Sequence, residues 1–242
     1  MKWKKRFFAL ISIGLVLFFN TVSIAAADSE AKKRLPEFDP DNFVSEVTNP
    51  YFPLEPGTRF IYEGESEGVP IEEVVTVTNE TKEILGVTTT VVHVLSFEEG
   101  VLVEETFDWY AQDVDGNVWY FGEDTKEFDE AGNVISTEGS WEAGVDGAQP
   151  GIIMLAHPKK GQRYQQEVAP DVAEDMAQVR RLDESVCVIY GCFDDVLVTK
   201  EWTPLEKGVV EYKYYAPGVG FILSVTVKGG DERLELVDII HL

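Results

Sequence analysis

The chain is short of cysteine, histidine and basic residues, and each shortage argues against a class of protein. Two cysteines and three histidines among 242 residues are too few for zinc fingers, multi-histidine metal sites or a disulfide-dense scaffold. Twenty Lys and Arg against 44 Asp and Glu give a net charge of −24, which argues against a groove that follows nucleic-acid phosphates. The hydrophobic content of 44%, with 12% aromatic residues, is sufficient for a folded core.

The first 27 residues have the pattern of a secretory signal peptide. Residues 2–6 hold four basic side chains, residues 7–19 are uncharged, and Ala25–Ala27 supplies the small side chains that a signal peptidase accepts. The uncharged run is shorter than the roughly 20 residues that span a bilayer as a helix. We therefore expect a secreted or periplasmic chain without a stable membrane anchor. An uncleaved N-terminal anchor is the alternative.

Export would place the two cysteines in an oxidising compartment. Cys187 and Cys192 flank four residues, and we expect them to form a small disulfide that clamps a hairpin. A ring this short stabilises a fold by only about 2 kcal/mol. Free thiols are the alternative, and a catalytic redox pair would be expected to have the shorter C-x-x-C spacing.

The rest of the chain divides into a proline-rich arm and one β domain. Residues 28–57 hold five prolines and are expected to form an N-terminal arm, with at most one short helix around Asp41–Val47. From residue 58 to 242, short β-branched and aromatic runs alternate with turn residues. Within this domain we expect a second short helix over Pro170–Gln178, and a long irregular loop over the Gly- and Pro-rich residues 138–162.

Eleven runs in this domain are typical of strands. They are Thr58–Glu63, Ile71–Thr78, Val87–Phe97, Val101–Gln112, Asn117–Gly122, Arg163–Glu167, Val179–Val188, Val196–Trp202, Val209–Ala216, Phe221–Val227 and Glu232–Ile240. The connections between most of them are too short for parallel crossovers. The pattern predicts an all-β single domain, a curved antiparallel sheet or open half-barrel of about ten to twelve strands with a short helix. The arm and the 138–162 loop would pack across its opening, and a β-sandwich is the alternative.

Residues 106–124 hold most of the candidate functional side chains. If they form a hairpin closed at Asp115-Gly116, side chains alternate between two faces, and one face is a plausible core. The expected cross-strand pairs on the other face are Asp108 with Glu123, Tyr110 with Phe121, and Gln112 with Trp119. A three-residue turn would change which side chains share a face. Carboxylates directly opposite each other are destabilising unless a cation, a proton or a ligand offsets them.

We therefore predict a ligand-binding surface of aromatic and acidic side chains. Its expected members are Asp108, Tyr110, Trp119, Phe121, Glu123 and Trp141. A sugar, a cationic group or a hydrated metal ion would suit such a surface. A solvated face without a ligand is the alternative.

The sequence predicts no catalytic residue and no cofactor. The Gly-x-Ser-x-Gly elbow of serine hydrolases is absent, and none of the three histidines lies in a motif. Asp113-x-Asp115-Gly116-Asn117 is similar to the start of a calcium loop. The glycine at the sixth position and the flanking helices of an EF-hand are missing, so a hairpin turn explains these residues better, and a metal remains open.

Four phrases resemble a family of uncharacterised exported bacterial and archaeal proteins, along essentially the whole mature chain. They are Asn-Pro-Tyr-Phe-Pro-Leu-x-Pro-Gly-Thr at 49–58, the run 108–123, the run 139–151, and Tyr-Tyr-Ala-Pro-Gly-Val-Gly at 214–220. The last phrase, with Gly191-Cys192-Phe193 before it, is also similar to envelope proteins whose curved antiparallel sheet is like that of lipoprotein carriers. The resemblance implies a fold and a location, and no activity.

These observations favour a non-catalytic exported protein that binds an amphipathic or saccharide-like small ligand. The expected partner is a small molecule or a component of the cell envelope, with no nucleic acid. A carboxylate-dependent glycan hydrolase and a structural module without a small-molecule ligand are the alternatives from other classes.

Signal cleavage after Ala27 predicts that the exported protein begins at Asp28 or within a residue or two of it. N-terminal sequencing of the protein recovered outside the cytoplasm would check this. Retention of residues 1–27 in that product would contradict it.

Overall fold

The computed structural model describes residues 36–242, which form one open antiparallel sheet of 15 strands. The predicted signal peptide and the first part of the predicted arm, residues 28–35, lie outside the described residues. The strands are β1 Phe43–Val44, β2 Thr58–Ser66, β3 Val69–Ile84, β4 Val87–Glu98, β5 Val101–Asp113, β6 Val118–Phe128, β7 Val134–Ser136, β8 Trp141–Glu142, β9 Gly151–Met154, β10 Arg163–Gln165, β11 Met176–Cys187, β12 Cys192–Trp202, β13 Val210–Ala216, β14 Gly220–Lys228 and β15 Arg233–His241.

Two meanders make up the sheet. The first runs from β2 to β7 and the second from β10 to β15, and each strand pairs with the next one along the chain. The last strand, β15, then pairs antiparallel with β2, so the two meanders join edge to edge. The prediction of a curved, open antiparallel sheet is confirmed, and the sheet does not close into a barrel.

Tight turns explain why the first meander folds in this order. Three two-residue turns, Glu67-Gly68, Leu85-Gly86 and Glu99-Gly100, join β2 to β5, and both residues of each turn have positive φ. Turns of this kind match the right-handed twist of antiparallel strands. In the second meander, a disulfide between Cys187 and Cys192 spans the turn from β11 to β12.

The N-terminal arm is held against the sheet by hydrogen bonds and by aromatic packing. β1 pairs with the end of β5. The Gln112 side-chain oxygen accepts hydrogen bonds from the backbone N–H groups of Thr48 and Asn49, at 2.8 and 2.7 Å. The Asn49 side chain donates to the carbonyls of Gly116 and Leu155. These bonds position a following segment of the arm, Phe52–Leu54, over the sheet.

The arm holds no more than the one short helix expected there, and the helix predicted over Pro170–Gln178 is wrong. Around Asp41–Val47 the structure has a single 3₁₀ turn, Pro40–Asn42, capped by the Asp39 carboxylate, and the chain then enters β1. Over Pro170–Gln178 it has turns followed by the start of β11, because the pairing of Met176 and Ala177 with β12 overrides their helix propensity. Residues 36–242 contain no helix of the length and apolar character that a membrane span requires.

The predicted irregular loop at 138–162 is wrong in part. It contains β8 and β9, and both strands pair with β6. Glycine is required at Gly151 in β9, because a Cβ there would lie 2.0 Å from the carbonyl oxygen of Gln166. This close approach brings the segment of Gln166 and Glu167 against the sheet.

A β-bulge in β6 changes the pairing of the hairpin formed by β5 and β6. Asp108 pairs with Glu123, whereas Tyr110 pairs with Tyr120, so β6 has one residue more than β5 between these pairs. Within the bulge, Gly122 has a φ of 127°, a conformation that only glycine adopts readily. A Cβ at this position would lie 2.2 Å from the carbonyl oxygen of Trp141.

We expect Gly122→Ala to destabilise the protein by about 2 kcal/mol or more, because the added methyl group meets backbone and the φ is strained. Equilibrium denaturation in urea would measure the loss. Gly191→Ala is the matched control, since a methyl group at Gly191 would meet no neighbouring atom within 4 Å and the φ there is not positive. Equal stability of Gly122→Ala and the wild type would contradict the role of the bulge.

Candidate functional site

The structure brings together some of the predicted site residues and separates others. Asp108 and Glu123 are direct cross-strand partners, as the sequence predicts. The predicted pairs of Tyr110 with Phe121 and of Gln112 with Trp119 are wrong, since Tyr110 pairs with Tyr120 and Gln112 with Val118. The reason is a three-residue turn at 114–116, which moves the register by one residue until the bulge at Gly122 restores it.

Trp119 and Phe121 consequently lie on the opposite face of the hairpin from Asp108. Both are buried, and their rings pack edge-on against Phe38 and Phe43 of the arm at 5.6 to 6.0 Å between ring centroids. The Trp119 indole N–H donates to Asp113. These contacts give the two rings a structural role that attaches the arm to the sheet.

Tyr120 takes the place that the sequence assigns to Phe121. Its ring stacks on Tyr110 at 4.8 Å between centroids, and its hydroxyl donates to the Asp108 carboxylate at 2.6 Å. Trp141 lies edge-on to Tyr120 at 5.3 Å. Asp108, Tyr110, Glu123 and Trp141 therefore gather around Tyr120.

The concave side of the sheet holds a cavity of about 790 Å³, including the part that opens to solvent. Of the six predicted binding residues, only Asp108 and Tyr110 line it. Its wall is mainly apolar and comes from the arm, from β2 to β5, from β9, and from β13 and β14: Phe52, Pro53, Leu54, Phe60, Tyr62, Val75, Val77, Val92, Val94, Tyr110, Ile153, Tyr215, Val219, Gly220 and Phe221.

The remaining lining side chains are polar and form what we call the acidic end of the cavity. It consists of Asp108, Gln166, Glu167, Asp175, Glu201 and Lys213. Four carboxyl groups thus share this end with one amine. Their charges interact, since Asp175, Lys213 and Asp108 all influence the pKa of Glu167.

Most groups of the acidic end have partners within the protein. The Lys213 amine lies 3.2 Å from Glu201 and 3.9 Å from Glu211. The other oxygen of Glu201 accepts hydrogen bonds from the hydroxyls of Thr199 and Tyr215. Asp108 accepts its bond from Tyr120. A buried ion pair with this many supporting hydrogen bonds compensates much of its desolvation.

Glu167 differs from the other carboxyl groups of the acidic end in its hydrogen bonding. Its side chain is 0% exposed, and neither carboxylate oxygen makes a hydrogen bond of good geometry among residues 36–242, although the backbone N–H of Asp175 lies close enough to favour the carboxylate. The side-chain amide nitrogen of the adjacent Gln166 also lacks a partner in the described part of the chain. Buried polar atoms are nearly always satisfied in native proteins, so an exception at a cavity wall is a candidate for contact with another molecule.

Burial raises the pKa of the acids on this side of the sheet. The pKa of Asp108 rises to about 7 and that of Asp175 to about 6, while that of Glu167 lies well above its ordinary value. Desolvation is the main cause in each case, and like charges nearby add to it for Glu167. For Lys213, burial opposes the charged form, but Glu201, Glu211 and Asp175 outweigh it, and the pKa is raised.

Further acids extend this pattern beyond the cavity lining. Burial, with neighbouring carboxylates, raises the pKa of Glu73, Glu104 and Glu232 to about 8. Glu73 is 3% exposed. The interior therefore holds several carboxyl groups that favour the protonated form near neutral pH.

Sequence analysis missed most of the acidic end. Glu167, Asp175, Glu201 and Lys213 come from β12, from β13 and from the segment between β10 and β11. Only the pairing of distant strands brings them to Asp108 on β5. The one local signal was a charged residue at an inward position of a strand otherwise rich in aromatic side chains, as Lys213 is in β13.

The calcium-like segment is a hairpin turn. The Asp113 carboxylate accepts hydrogen bonds from the backbone and side chain of Asn117 and from Trp119, so its oxygens are occupied. Within residues 36–242 there is no group of three or more His, Cys, Asp or Glu side chains that could hold a metal ion.

Comparison with known proteins identifies no family for this chain, and two solved structures match it at low identity. No family model matches the chain, and no curated protein matches it. A proposed exported protein with a YmcC-like fold from Bacteroides fragilis NCTC 9343 is 15% identical, with 78% of this chain and 98% of that chain covered and a TM-score of 0.47. A proposed lipoprotein from Parabacteroides distasonis ATCC 8503 is 13% identical, with 79% and 99% covered and a TM-score of 0.44.

The buried acids predict that the folded protein is more stable at pH 5 than at pH 8. A carboxyl group whose pKa is higher in the folded state than in the unfolded state binds more protons when folded, so stability falls as the pH rises between the two values. For Glu73 this window runs from 4.5 to about 8. Thermal unfolding at half-unit pH steps would show a steady fall in Tm across it.

Glu73→Gln should flatten this pH dependence, because glutamine has the shape of the protonated acid. We expect a gain on the order of 1 kcal/mol at pH 8 and little change at pH 5. Glu80→Gln, at an exposed position of the same strand, is the matched control. A wild-type Tm that rises from pH 5 to pH 8 would rule out this account of the buried acids.

Proposed function

We propose that this chain is an exported, non-catalytic binding protein for a small amphipathic molecule. The cavity on the concave side of the sheet carries the proposal, because it joins a long apolar wall to a short acidic end. Ligand sites in proteins have this composition, with apolar walls for affinity and a few placed polar groups for orientation.

The composition of the wall supports an amphipathic ligand over a saccharide. Valines from β3 and β4, with Phe60, Phe221 and Ile153, offer no hydrogen-bonding group along most of the cavity. A saccharide carries hydroxyl groups around its whole ring and would leave many of them unsatisfied there. An alkyl or aromatic body loses no hydrogen bonds at such a wall and gains by its removal from water.

The arm and the final turn before β14 form part of the wall. Phe52 packs edge-on to Tyr110 at 5.2 Å between centroids, and the amide of Gly218 donates to the carbonyl of Pro50. The arm and the turn before β14 are thus joined by a hydrogen bond. Export is supported by the basic and apolar pattern of residues 1–27, which is typical of a signal peptide.

Filling the cavity should abolish binding. Val219→Trp places a large ring at a partly buried wall position, and we expect the affinity for a naphthylamine probe that fluoresces in apolar surroundings to fall at least tenfold, about 1.4 kcal/mol. Val227→Trp, at a position 46% exposed and outside the wall, should bind like the wild type. Probe fluorescence titrations on the exported protein would measure both.

Three outcomes of that titration would count against the proposal. The wild type could fail to bind any apolar probe, Val219→Trp could bind as tightly as the wild type, or the two tryptophan variants could lose binding equally. Mass spectrometry of the recovered probe would show whether it is released intact, as a non-catalytic protein requires.

A further inference from the structure

The acidic end of the cavity has more negative groups than positive ones, and its single amine is already used. Lys213 is paired with Glu201 and Glu211. Glu201 and Asp108 also accept hydrogen bonds from hydroxyl groups of the protein. The lining carboxyl group that no side chain in residues 36–242 hydrogen-bonds is Glu167, which only the backbone N–H of Asp175 approaches.

The chemistry of a ligand's polar group follows from this arrangement. A carboxylate or phosphate would have to enter a site whose one amine is already paired with Glu201, so it would gain no opposite charge there and would be repelled by every lining acid that is ionised. A group that donates hydrogen bonds and carries positive charge would instead be attracted to the acidic end. It would supply partners to both oxygens of Glu167 and would offset the surrounding negative charge.

We propose that the molecule bound in this cavity carries an organic cation, an ammonium or guanidinium group, that pairs with the Glu167 carboxylate while its apolar body lies along the wall. This inference rests on the proposed function and names the class of ligand for the same site. The aromatic rings of Tyr110 and Tyr215 also line the cavity.

Binding of such a cation should release a proton. Burial favours the protonated form of Glu167, whereas a nearby ammonium group favours the carboxylate. A proton should therefore leave Glu167 when the ammonium group binds. The titratable groups whose charges interact with Glu167 are Asp108 and Tyr110 on β5, Tyr120 on β6, Asp175 before β11 and Lys213 on β13. Affinity for an amine should therefore rise with pH from 5 to 8, a range below the ordinary pKa of an alkylamine, about 10.4.

The test compares three probes that share one alkyl chain and differ only in their polar group. Decylamine, decanol and decanoate would be titrated into the exported protein at pH 8 by isothermal calorimetry. We expect decylamine to bind at least tenfold more tightly than decanol, and decanoate to bind most weakly. Titrations of decylamine in two buffers of different ionisation enthalpy would count the released protons.

A variant then assigns the preference to Glu167. Glu167→Gln keeps the shape and removes the charge, so it should lose the preference for decylamine over decanol and release no proton, while it still binds decanol. Glu130→Gln removes the same charge from an exposed turn between β6 and β7 and should keep the preference. If Glu167→Gln does not fold, the comparison of the three probes on the wild type still decides whether the cavity prefers a cationic polar group.

The outcomes separate this inference from the proposed function. Equal binding of decylamine and decanol, or tightest binding of decanoate, would overturn the cationic ligand and leave the amphipathic one. A preference for decylamine that Glu167→Gln retains would overturn the role of Glu167. Failure of all three probes to bind, together with failure of the naphthylamine probe, would overturn the proposed function itself.

Discussion

The whole structure depends on the need to cover the concave face of one wide sheet. An open antiparallel sheet must bury one face against something, and this chain has neither a second sheet nor an α-helix among residues 36–242 to do so. The arm around Phe52–Leu54, the strand β9 and the segment through Glu167 take that role. Separate segments of irregular chain do not fill a concave surface as closely as a second sheet would. The cavity is therefore a direct consequence of the architecture.

The second constraint is electrostatic. Several carboxyl groups point toward the same interior, and Lys213 is the one buried amine among the described residues. Such an arrangement is stable mainly because burial keeps many of these acids protonated, so that they behave as neutral polar groups. Protein interiors otherwise avoid unpaired acids, and departures from that rule concentrate where a molecule is bound or changed. The position of Glu167 at the cavity wall agrees with this general pattern, whereas Glu73 lies outside the lining and has only an effect on stability in our account.

The strands could be predicted from the sequence because their signals are local. Alternating or continuous β-branched runs and turns such as Glu99-Gly100 indicate where strands lie, and each of the eleven predicted strands overlaps a strand of the sheet. The sheet has 15 strands, more than the ten to twelve expected, because the short strands β1, β7, β8 and β9 were not predicted. The cavity could not be predicted, because it needs the pairing of β15 with β2, about 180 residues apart in sequence, to bring Lys213 near Asp108. The disagreement over Pro170–Gln178 has a similar cause. A segment of good helix formers becomes turn and strand when a neighbouring strand is available to pair with it.

The hairpin of β5 and β6 shows why the predicted cross-strand partner of Asp108 is correct while the predicted partners of Tyr110 and Gln112 are wrong. Its three-residue turn moves the register by one residue, and the bulge at Gly122 moves it back before Asp108 is reached. Without the bulge, a simple two-residue turn would set Phe121 opposite Tyr110, and Asp108 would face Glu123 with no hydroxyl beside it. With the bulge, Tyr120 occupies that position and donates to Asp108. The irregularity that defeats a simple alternation of faces therefore supplies the internal partner of one acid, whereas Glu167, on a segment outside this hairpin, makes no hydrogen bond of good geometry within residues 36–242.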